Sequence, residues 1–192
     1  IIHSTKPVNS IEDIKGMRIR CPGQAMTKFV TALGGVPINM PMTEVYEALQ
    51  KGAAEGMFTP YEALESFKLG EVVKYSIEHY KTAQGAIFYT NMNKKVWASL
   101  PDDIKTTIDK MNKEYIPKVA QVWDDSQIEG KKYAVDRGIK VIEISPSEEQ
   151  RWYDIGAKPI LEEYVMKRGK EGRLPAEEVL KFINDFKKIY LK

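Results

Sequence analysis

The sequence has very few of the residues that form covalent or metal cross-links. Cys21 is the only cysteine among 192 residues, so neither an intrachain disulfide framework nor a zinc site of several cysteines is possible. The two histidines, His3 and His79, lie far apart in the chain and cannot form a helical pair of metal ligands. No apolar run approaches the roughly 18 to 20 residues that span a bilayer. We therefore predict neither a metal nor another cofactor.

The chain also lacks an excess of charge of either sign. Lys and Arg total 29 and Asp and Glu total 27, which gives a net charge of +2. A protein that neutralises nucleic-acid phosphates, or that binds an anionic membrane surface, needs a basic surplus. We therefore expect no nucleic-acid partner. Hydrophobic residues make up 43%, which suffices for a core, and the length fits one large domain or two small ones.

Short apolar runs alternate with amphipathic segments over the first seventy residues. The pattern predicts strands at 17–21, 36–40 and 54–58, each followed by a helix, at 25–33, 43–51 and about 61–68. Three strand–helix units in succession are typical of a parallel α/β sheet. The sequence therefore predicts an α/β fold.

Helical patterns dominate after residue 91. Strands are expected at 72–77, 86–90 and 139–144, and an apolar stripe from Ile104 to Val122 predicts a long helix. Pro117 lies inside that helix and predicts a kink or a local break. Ser145, followed by Pro146 and Glu148, is a helix N-terminal signature, and a last helix is expected from residue 175.

The short motifs of catalysis and nucleotide binding are missing. The sequence has no Walker loop, no Gly-x-Gly-x-x-Gly, no Gly-x-Ser-x-Gly and no His-Glu-x-x-His. Cys21 stands near a helix start, where a thiolate could be stabilised, but it could equally be a small core residue. His79 could act as a base, although it has no obvious partner in the sequence and an ordinary structural histidine is the alternative. An α/β enzyme that uses Cys21 or His79 thus remains an alternative function.

Arg20 ends a predicted strand, immediately before a turn that contains Gly23 and leads into a helix. In open α/β sheets, ligands bind in the crevice beyond the carboxyl ends of the strands. A guanidinium there can hold a carboxylate by two parallel hydrogen bonds, and the free N–H groups of the next helix would reinforce an anion site. A structural ion pair or simple exposure is the alternative for Arg20. Phe58 and Thr59 end the third strand in the same way and could add an aromatic surface and a hydroxyl.

Four segments carry a resemblance to a known family. Residues 10–23 resemble the "lKGlkiRvpg" segment of the substrate-binding proteins of tripartite ATP-independent periplasmic (TRAP) transporters. Residues 33–52 are similar to the family's "lGatPvpmp..EvYeALqkG", residues 54–56 to its "vDG", and residues 92–101 to its "mNkkvWdsLP". The later helices fit the family's C-terminal part, so the resemblance covers essentially the whole chain.

This resemblance implies a two-lobed receptor with the type II periplasmic-binding-protein-like fold. Such a receptor closes on a small organic acid in the periplasm, delivers it to a membrane permease and catalyses no reaction. It implies that Arg20 grips the substrate carboxylate and that Met42 lines the pocket, unless Met42 serves packing alone. Thr59 stands where sialic-acid and dicarboxylate binders often have Asn, which counts against those two ligands. Met57-Phe58-Thr59 lacks the Glu-Trp pair of the metal-assisted binders, so the resemblance predicts no metal.

The resemblance also implies a division of the chain. Residues 1–85 correspond to the ligand-binding second lobe, 86–145 to a return segment and long helix that pack with the first lobe, and 146–192 to C-terminal helices. The sequence begins at Ile1 without the features of a signal peptide, so we expect a processed or truncated product that lacks the N-terminal lobe segment. Exposed apolar surface would then lead to partial disorder, self-association or a compact lobe with half of a site.

Overall fold

The computed structural model describes residues 1–80, 82, 89–170, 175, 177, 178, 181 and 185. Six short strands and eight α-helices lie within this part of the chain. In chain order they are β1 Ile2–Ser4, α1 Ile11–Ile14, β2 Arg18–Arg20, α2 Gln24–Ala32, β3 Val36–Ile38, α3 Met42–Gln50, β4 Gly56–Phe58, α4 Ala63–Ser66, β5 Tyr75–Glu78, α5 Lys94–Ser99, α6 Asp102–Asp136, β6 Lys140–Glu143, α7 Pro146–Trp152 and α8 Lys158–Lys170.

The strands form one six-stranded sheet in the order β3-β2-β4-β1-β5-β6. The pairs β2–β3, β2–β4 and β5–β6 are parallel, whereas β1 lies between β4 and β5 and is antiparallel to both. The predicted α/β fold is confirmed. The first segment of the chain, for which the sequence pattern predicts no strand, supplies the antiparallel strand near the middle of the sheet.

Successive residues of a strand point to opposite faces of the sheet, and helices cover both of these faces. One buried cluster combines strand residues with α1, α2 and α7, and it contains Ile19, Phe29, Phe58, Ile77 and Trp152. The other combines strand residues with α3, α4 and the end of α6, and it contains Val45, Leu49, Met57, Leu64 and Ala134. Met57 and Phe58 are adjacent in β4 and belong to opposite clusters.

Helix α6 is 35 residues long and begins after Pro101, which is its N-cap. It continues through Pro117 without the predicted break. Proline removes one helical hydrogen bond, and the carbonyl released is that of Lys113, four residues earlier, at an exposed position where water can replace the bond. Close to its C-terminal end the helix is buried at Gly130, which lies against the backbone of Tyr61 and Glu62, and at Ala134, which belongs to the cluster on the α3 face.

The first two-thirds of α6 carry apolar side chains that stay exposed. These are Ile104, Met111, Tyr115, Ile116, Val119 and Val122. This surface matches the expectation of an uncovered apolar face, while the division of the chain into three parts remains a prediction. Among the described residues, no helix is both long enough and apolar enough to cross a membrane.

The C-terminal region begins as the sequence indicates. The Ser145 hydroxyl accepts a hydrogen bond from the Glu148 backbone N–H at 3.3 Å and caps α7, with Pro146 in the first turn. A π-helical turn, Tyr153–Ala157, joins α7 to α8. The predicted strand at 86–90 and the predicted helix after residue 175 lie mostly outside the described residues.

Candidate functional site

The carboxyl ends of β2, β3 and β4 meet at one edge of the sheet, because these three strands are parallel neighbours. Arg20 is the last residue of β2, and Phe58 is the last residue of β4. The carboxyl end of β5 lies at the same edge, since β4 and β5 are both antiparallel to β1. This edge is the place where ligands bind in open α/β sheets.

Backbone carbonyls fix the Arg20 side chain at this edge. Its Nε donates to the Met40 carbonyl oxygen and its Nη1 donates to the Phe58 carbonyl oxygen, each at 3.3 Å. A guanidinium has five N–H donors, so two backbone acceptors leave further donors available. The side chain is buried, and burial lowers the pKa of Arg20.

No carboxylate of the described residues forms an ion pair with Arg20. The structural-ion-pair alternative therefore finds no support within this part of the chain. A buried cation without an anionic partner is costly, and a bound anion would offset that cost. The geometry thus provides a pre-positioned guanidinium without an anionic partner among the described residues, at the edge where open α/β sheets bind ligands.

Helix α2 adds a second electropositive feature to the same edge. Gly23 is its N-cap and brings no side chain that could cap the first turn. Its carbonyl oxygen accepts from the Thr27 backbone N–H at 3.0 Å and from the Thr27 hydroxyl at 3.1 Å. The first N–H groups of a helix lack intrahelical acceptors and carry the positive end of the helix dipole. The N-cap Gly23 follows Arg20 by three residues, and the helix start and the guanidinium both favour an anion at this edge.

The structure places the remaining predicted site residues close to this edge but in different roles. Thr59 is buried directly after β4, and its backbone N–H donates to the Ile1 carbonyl oxygen at 3.4 Å. Met42 is the first residue of α3 and lies half-buried against the cluster on the α3 face. The Phe58 ring points into the opposite cluster, so its carbonyl oxygen, and not its ring, is the atom that meets Arg20.

Helix α6 reaches the same edge through residues that the sequence does not single out. The Gln127 side-chain oxygen accepts from the Tyr61 backbone N–H at 3.0 Å, two residues after Thr59. The buried Glu78 carboxylate accepts from the Tyr61 hydroxyl at 2.9 Å and pairs with Lys131 at 2.8 Å. Gln127 lies 66 residues after Tyr61 and Lys131 lies 53 residues after Glu78, so no local sequence pattern predicts these contacts of α6.

An open depression of about 310 Å³ lies along α3 and is lined by Met40, Thr43, Glu44, Glu47, Ala48 and Lys51. Of these residues, Met40 is the one that also contacts Arg20. Two carboxylates line the depression, which disfavours an anionic ligand there. We therefore locate the candidate site at the Arg20 edge and not in this depression.

The two candidate reactive groups have environments that suppress their reactivity. Burial raises the pKa of the Cys21 thiol to about 11, against the smaller opposing influence of Arg20, and the thiol donates to the Ile19 carbonyl oxygen at 3.4 Å. Burial also lowers the pKa of His79 to about 3, so it is a very weak base. The described residues contain no group of three or more His, Cys, Asp or Glu that could hold a metal.

Comparison with known proteins identifies relatives of this chain. The sequence model of the bacterial extracellular solute-binding proteins, family 7, matches residues 1–167. The C4-dicarboxylate-binding periplasmic protein DctP of Rhodobacter capsulatus is 26% identical over 176 residues, which are 89% of this chain and 51% of that protein. The chain spans about half the length of the curated relatives it matches.

Solved structures of TRAP solute-binding proteins share the fold. One, from a marine metagenome, is specific for aromatic acid ligands and holds metahydroxyphenylacetate; it is 30% identical, with a TM-score of 0.80 over all of this chain and 61% of that one. Another, from Rhodoferax ferrireducens, holds copurified benzoate; it is 25% identical, with a TM-score of 0.77 over 94% of this chain and 57% of that one. The sequence match over residues 1–167 and these structural matches lead to one conclusion: the chain belongs to the bacterial extracellular solute-binding proteins of family 7, the periplasmic solute receptors of TRAP transporters.

Proposed function

We propose that this chain forms the carboxylate-gripping lobe of a receptor that binds a small organic acid and delivers it to the membrane permease of a TRAP transporter. The observation that carries the proposal is Arg20, a buried guanidinium held by two backbone carbonyls and paired with no described carboxylate. The start of α2 at Gly23 reinforces the attraction for an anion. Closure of a second lobe over this edge would complete the enclosure of the acid.

An aromatic monocarboxylate is the ligand class that we place first. A single unpaired cation suits a single carboxylate, and the structural relatives at 30% and 25% identity hold metahydroxyphenylacetate and benzoate. Thr59, which stands where dicarboxylate binders often have Asn, supports the same choice. Met40, two residues before α3, and Met42, its first residue, would provide apolar, adaptable contacts to a ring.

The proposed role includes no catalysis. A thiol whose pKa lies near 11 is protonated at neutral pH and is a poor nucleophile. The hydroxyl that contacts His79 belongs to Thr82, but an imidazole with its pKa near 3 cannot remove a hydroxyl proton effectively. Neither Cys21 nor His79 therefore supports the enzyme alternative.

Calorimetric titration with a panel of acids tests the proposed function. The panel contains benzoate, metahydroxyphenylacetate, succinate and galacturonate, with benzamide as a neutral analogue of benzoate. We expect the two aromatic monocarboxylates to bind more tightly than succinate and galacturonate, and benzamide to show no binding, because the Arg20 charge is then unused. Tighter binding of succinate would contradict the ligand class, and equal binding of benzamide and benzoate would contradict the anion site itself.

A further inference from the structure

His79 lies in a box of aromatic side chains below the ligand-binding edge. It follows β5 directly, is buried, and stacks on the Phe29 ring with centroids 6.4 Å apart and planes 13° apart. Its ring also meets the Phe58 ring edge-on at 5.8 Å and the Trp152 ring at 5.4 Å. Phe29 and Phe58 contact each other at 6.0 Å. The imidazole thus closes the box from the β5 side.

Burial of an imidazole at this position is energetically unfavourable. Its Nδ1 is hydrogen-bonded to the Thr82 hydroxyl at 2.5 Å, while its buried Nε2 has no hydrogen-bond partner among the residues that the structure describes. An unsatisfied buried polar atom destabilises a fold, and a phenylalanine would fill a similar space without that penalty. Departures from good local packing chemistry occur most often where a residue serves function. The hydrogen bond to Thr82 gives the ring a fixed orientation that a phenylalanine would lack.

A single residue, Phe58, connects the aromatic box to Arg20. The Phe58 ring sits in the box, and the carbonyl oxygen of the same residue accepts the hydrogen bond from Arg20 Nη1. That bond measures 3.3 Å, near the long end of useful N–H···O distances, so a displacement of a few tenths of an ångström would break it. Phe58 of β4 is paired with Ile2 of β1, so the sheet sets the general position of this carbonyl, and packing of the Phe58 ring can adjust it only by such small displacements.

We propose that His79 is a positioning residue for the carboxylate site: its ring, anchored by Thr82, holds Phe58 so that the Phe58 carbonyl fixes the Arg20 guanidinium. The relevance of this role to ligand binding rests on the proposed function. The order that His79 imposes on Arg20 does not, since it exists in the ligand-free protein.

Nuclear magnetic resonance of the Arg20 side chain tests the positioning directly. The Nη–Hη signals of Arg20, which include the group that donates to Phe58, are assigned by their loss in Arg20→Lys, and their exchange with water is measured without any acid present. We expect slow exchange in the wild type and in Ile14→Ala, a control that opens a cavity in the same buried cluster. We expect exchange about tenfold faster in His79→Ala, because interactions between contacting residues are of that size.

A conservative variant and a second anchor variant separate positioning from general stability. His79→Phe keeps a ring beside Phe58, and we expect it to restore Arg20 exchange to within about threefold of the wild type. Thr82→Val removes the anchor of the imidazole with little change in volume, and an intermediate exchange rate is expected. Thr82→Val also decides the matter if His79→Ala does not fold: an unchanged rate in that variant would overturn the proposal.

Benzoate titration adds the functional readout. We expect His79→Ala to weaken benzoate binding about tenfold in the wild type and less than about twofold in an Arg20→Lys background, because both changes act on one group. Equal factors in the two backgrounds, or an Arg20 signal in His79→Ala that matches the Ile14→Ala control, would overturn the positioning role. If the wild type binds no benzoate, that choice of ligand fails, and the Arg20 exchange rate alone decides the role of His79.

Discussion

Replacing Gly130 with alanine should push α6 away from the edge of the sheet that carries Arg20. A Cβ on Gly130 would lie 2.6 Å from the Tyr61 carbonyl carbon and 2.7 Å from the Glu62 nitrogen, and both are backbone atoms that cannot swing aside. The helix would have to retreat by roughly 1 Å to reach ordinary van der Waals contact. That shift would stretch the hydrogen bond from the Tyr61 N–H to Gln127 and the Lys131–Glu78 ion pair.

The expected loss of stability in Gly130→Ala is the sum of unfavourable and favourable contributions. Overpacking at a rigid contact costs about 1–3 kcal/mol, and loss of a hydrogen bond costs about 1 kcal/mol. Alanine in place of glycine returns about 1 kcal/mol of helix propensity. The net loss is about 2 kcal/mol, which lowers the midpoint of thermal unfolding by about 4–8 °C for a chain of this size.

Thermal unfolding followed by circular dichroism measures this effect. Asn112→Ala is the matched control, because Asn112 is exposed on the same helix and should gain only a few tenths of a kcal/mol of propensity. An unfolding midpoint of Gly130→Ala at or above that of the wild type would refute the close packing of α6 on residues 61–62.

Three further predictions follow from buried polar groups. Burial lowers the pKa of both His3 and His79 to about 3, whereas an unfolded histidine has a pKa near 6.5. Between these two pH values the unfolded chain binds more protons than the folded one, so the free energy of unfolding falls as the pH drops from 6.5 towards 3. Urea unfolding should show a loss of about 2 kcal/mol per histidine between pH 6.5 and pH 5, and equal midpoints at the two pH values would contradict it. Native Cys21 should resist iodoacetamide at pH 8 and react after unfolding, since burial raises its pKa to about 11; rapid labelling of the folded protein would contradict its burial. Glu148→Ala should destabilise the protein by about 3 kcal/mol in urea unfolding, because the carboxylate accepts from the Trp152 indole at 3.0 Å and from a backbone N–H of α1 at 2.7 Å; a loss below 1 kcal/mol would show that these donors find other acceptors.

The prediction of Arg20 as a site residue rests on local signals in the sequence. Its strand alternates apolar and basic residues, and the turn that follows contains Gly23 before an amphipathic helix. Parallel strands end at one edge, so a residue at the end of β2 must lie at the ligand-binding edge. The family resemblance adds the chemistry of carboxylate recognition to this placement.

The anchors of Arg20 have no comparable signal in the sequence. Met40 and Phe58 hold it through backbone carbonyls, and a carbonyl is common to every residue type. The Phe58 ring could be expected at the edge, yet strand alternation turns it into the core beside His79. Which of the two faces a strand residue occupies depends on helices that lie up to a hundred residues away.

Strand β1 shows the same limit for the fold. Its three residues, Ile2 to Ser4, show no alternating pattern, since all three are buried. The strand exists because it pairs with β4 and β5, more than fifty residues later in the chain. Pro117 illustrates the opposite error: a local rule predicts a break, but exposure to water lets the helix continue.

The most direct test of the carboxylate site compares two arginines of the same strand. Arg20→Ala removes the buried guanidinium, whereas Arg18→Ala removes an exposed one that bonds to the Gly52 and Ala53 carbonyls at the other end of β2. Calorimetric titration with benzoate should show at least a hundredfold weaker binding for Arg20→Ala, the scale of a loss of several kcal/mol, and a change of less than about threefold for Arg18→Ala. Equal benzoate affinities for Arg20→Ala and the wild type would contradict the assignment of Arg20 as the anchor of the acid.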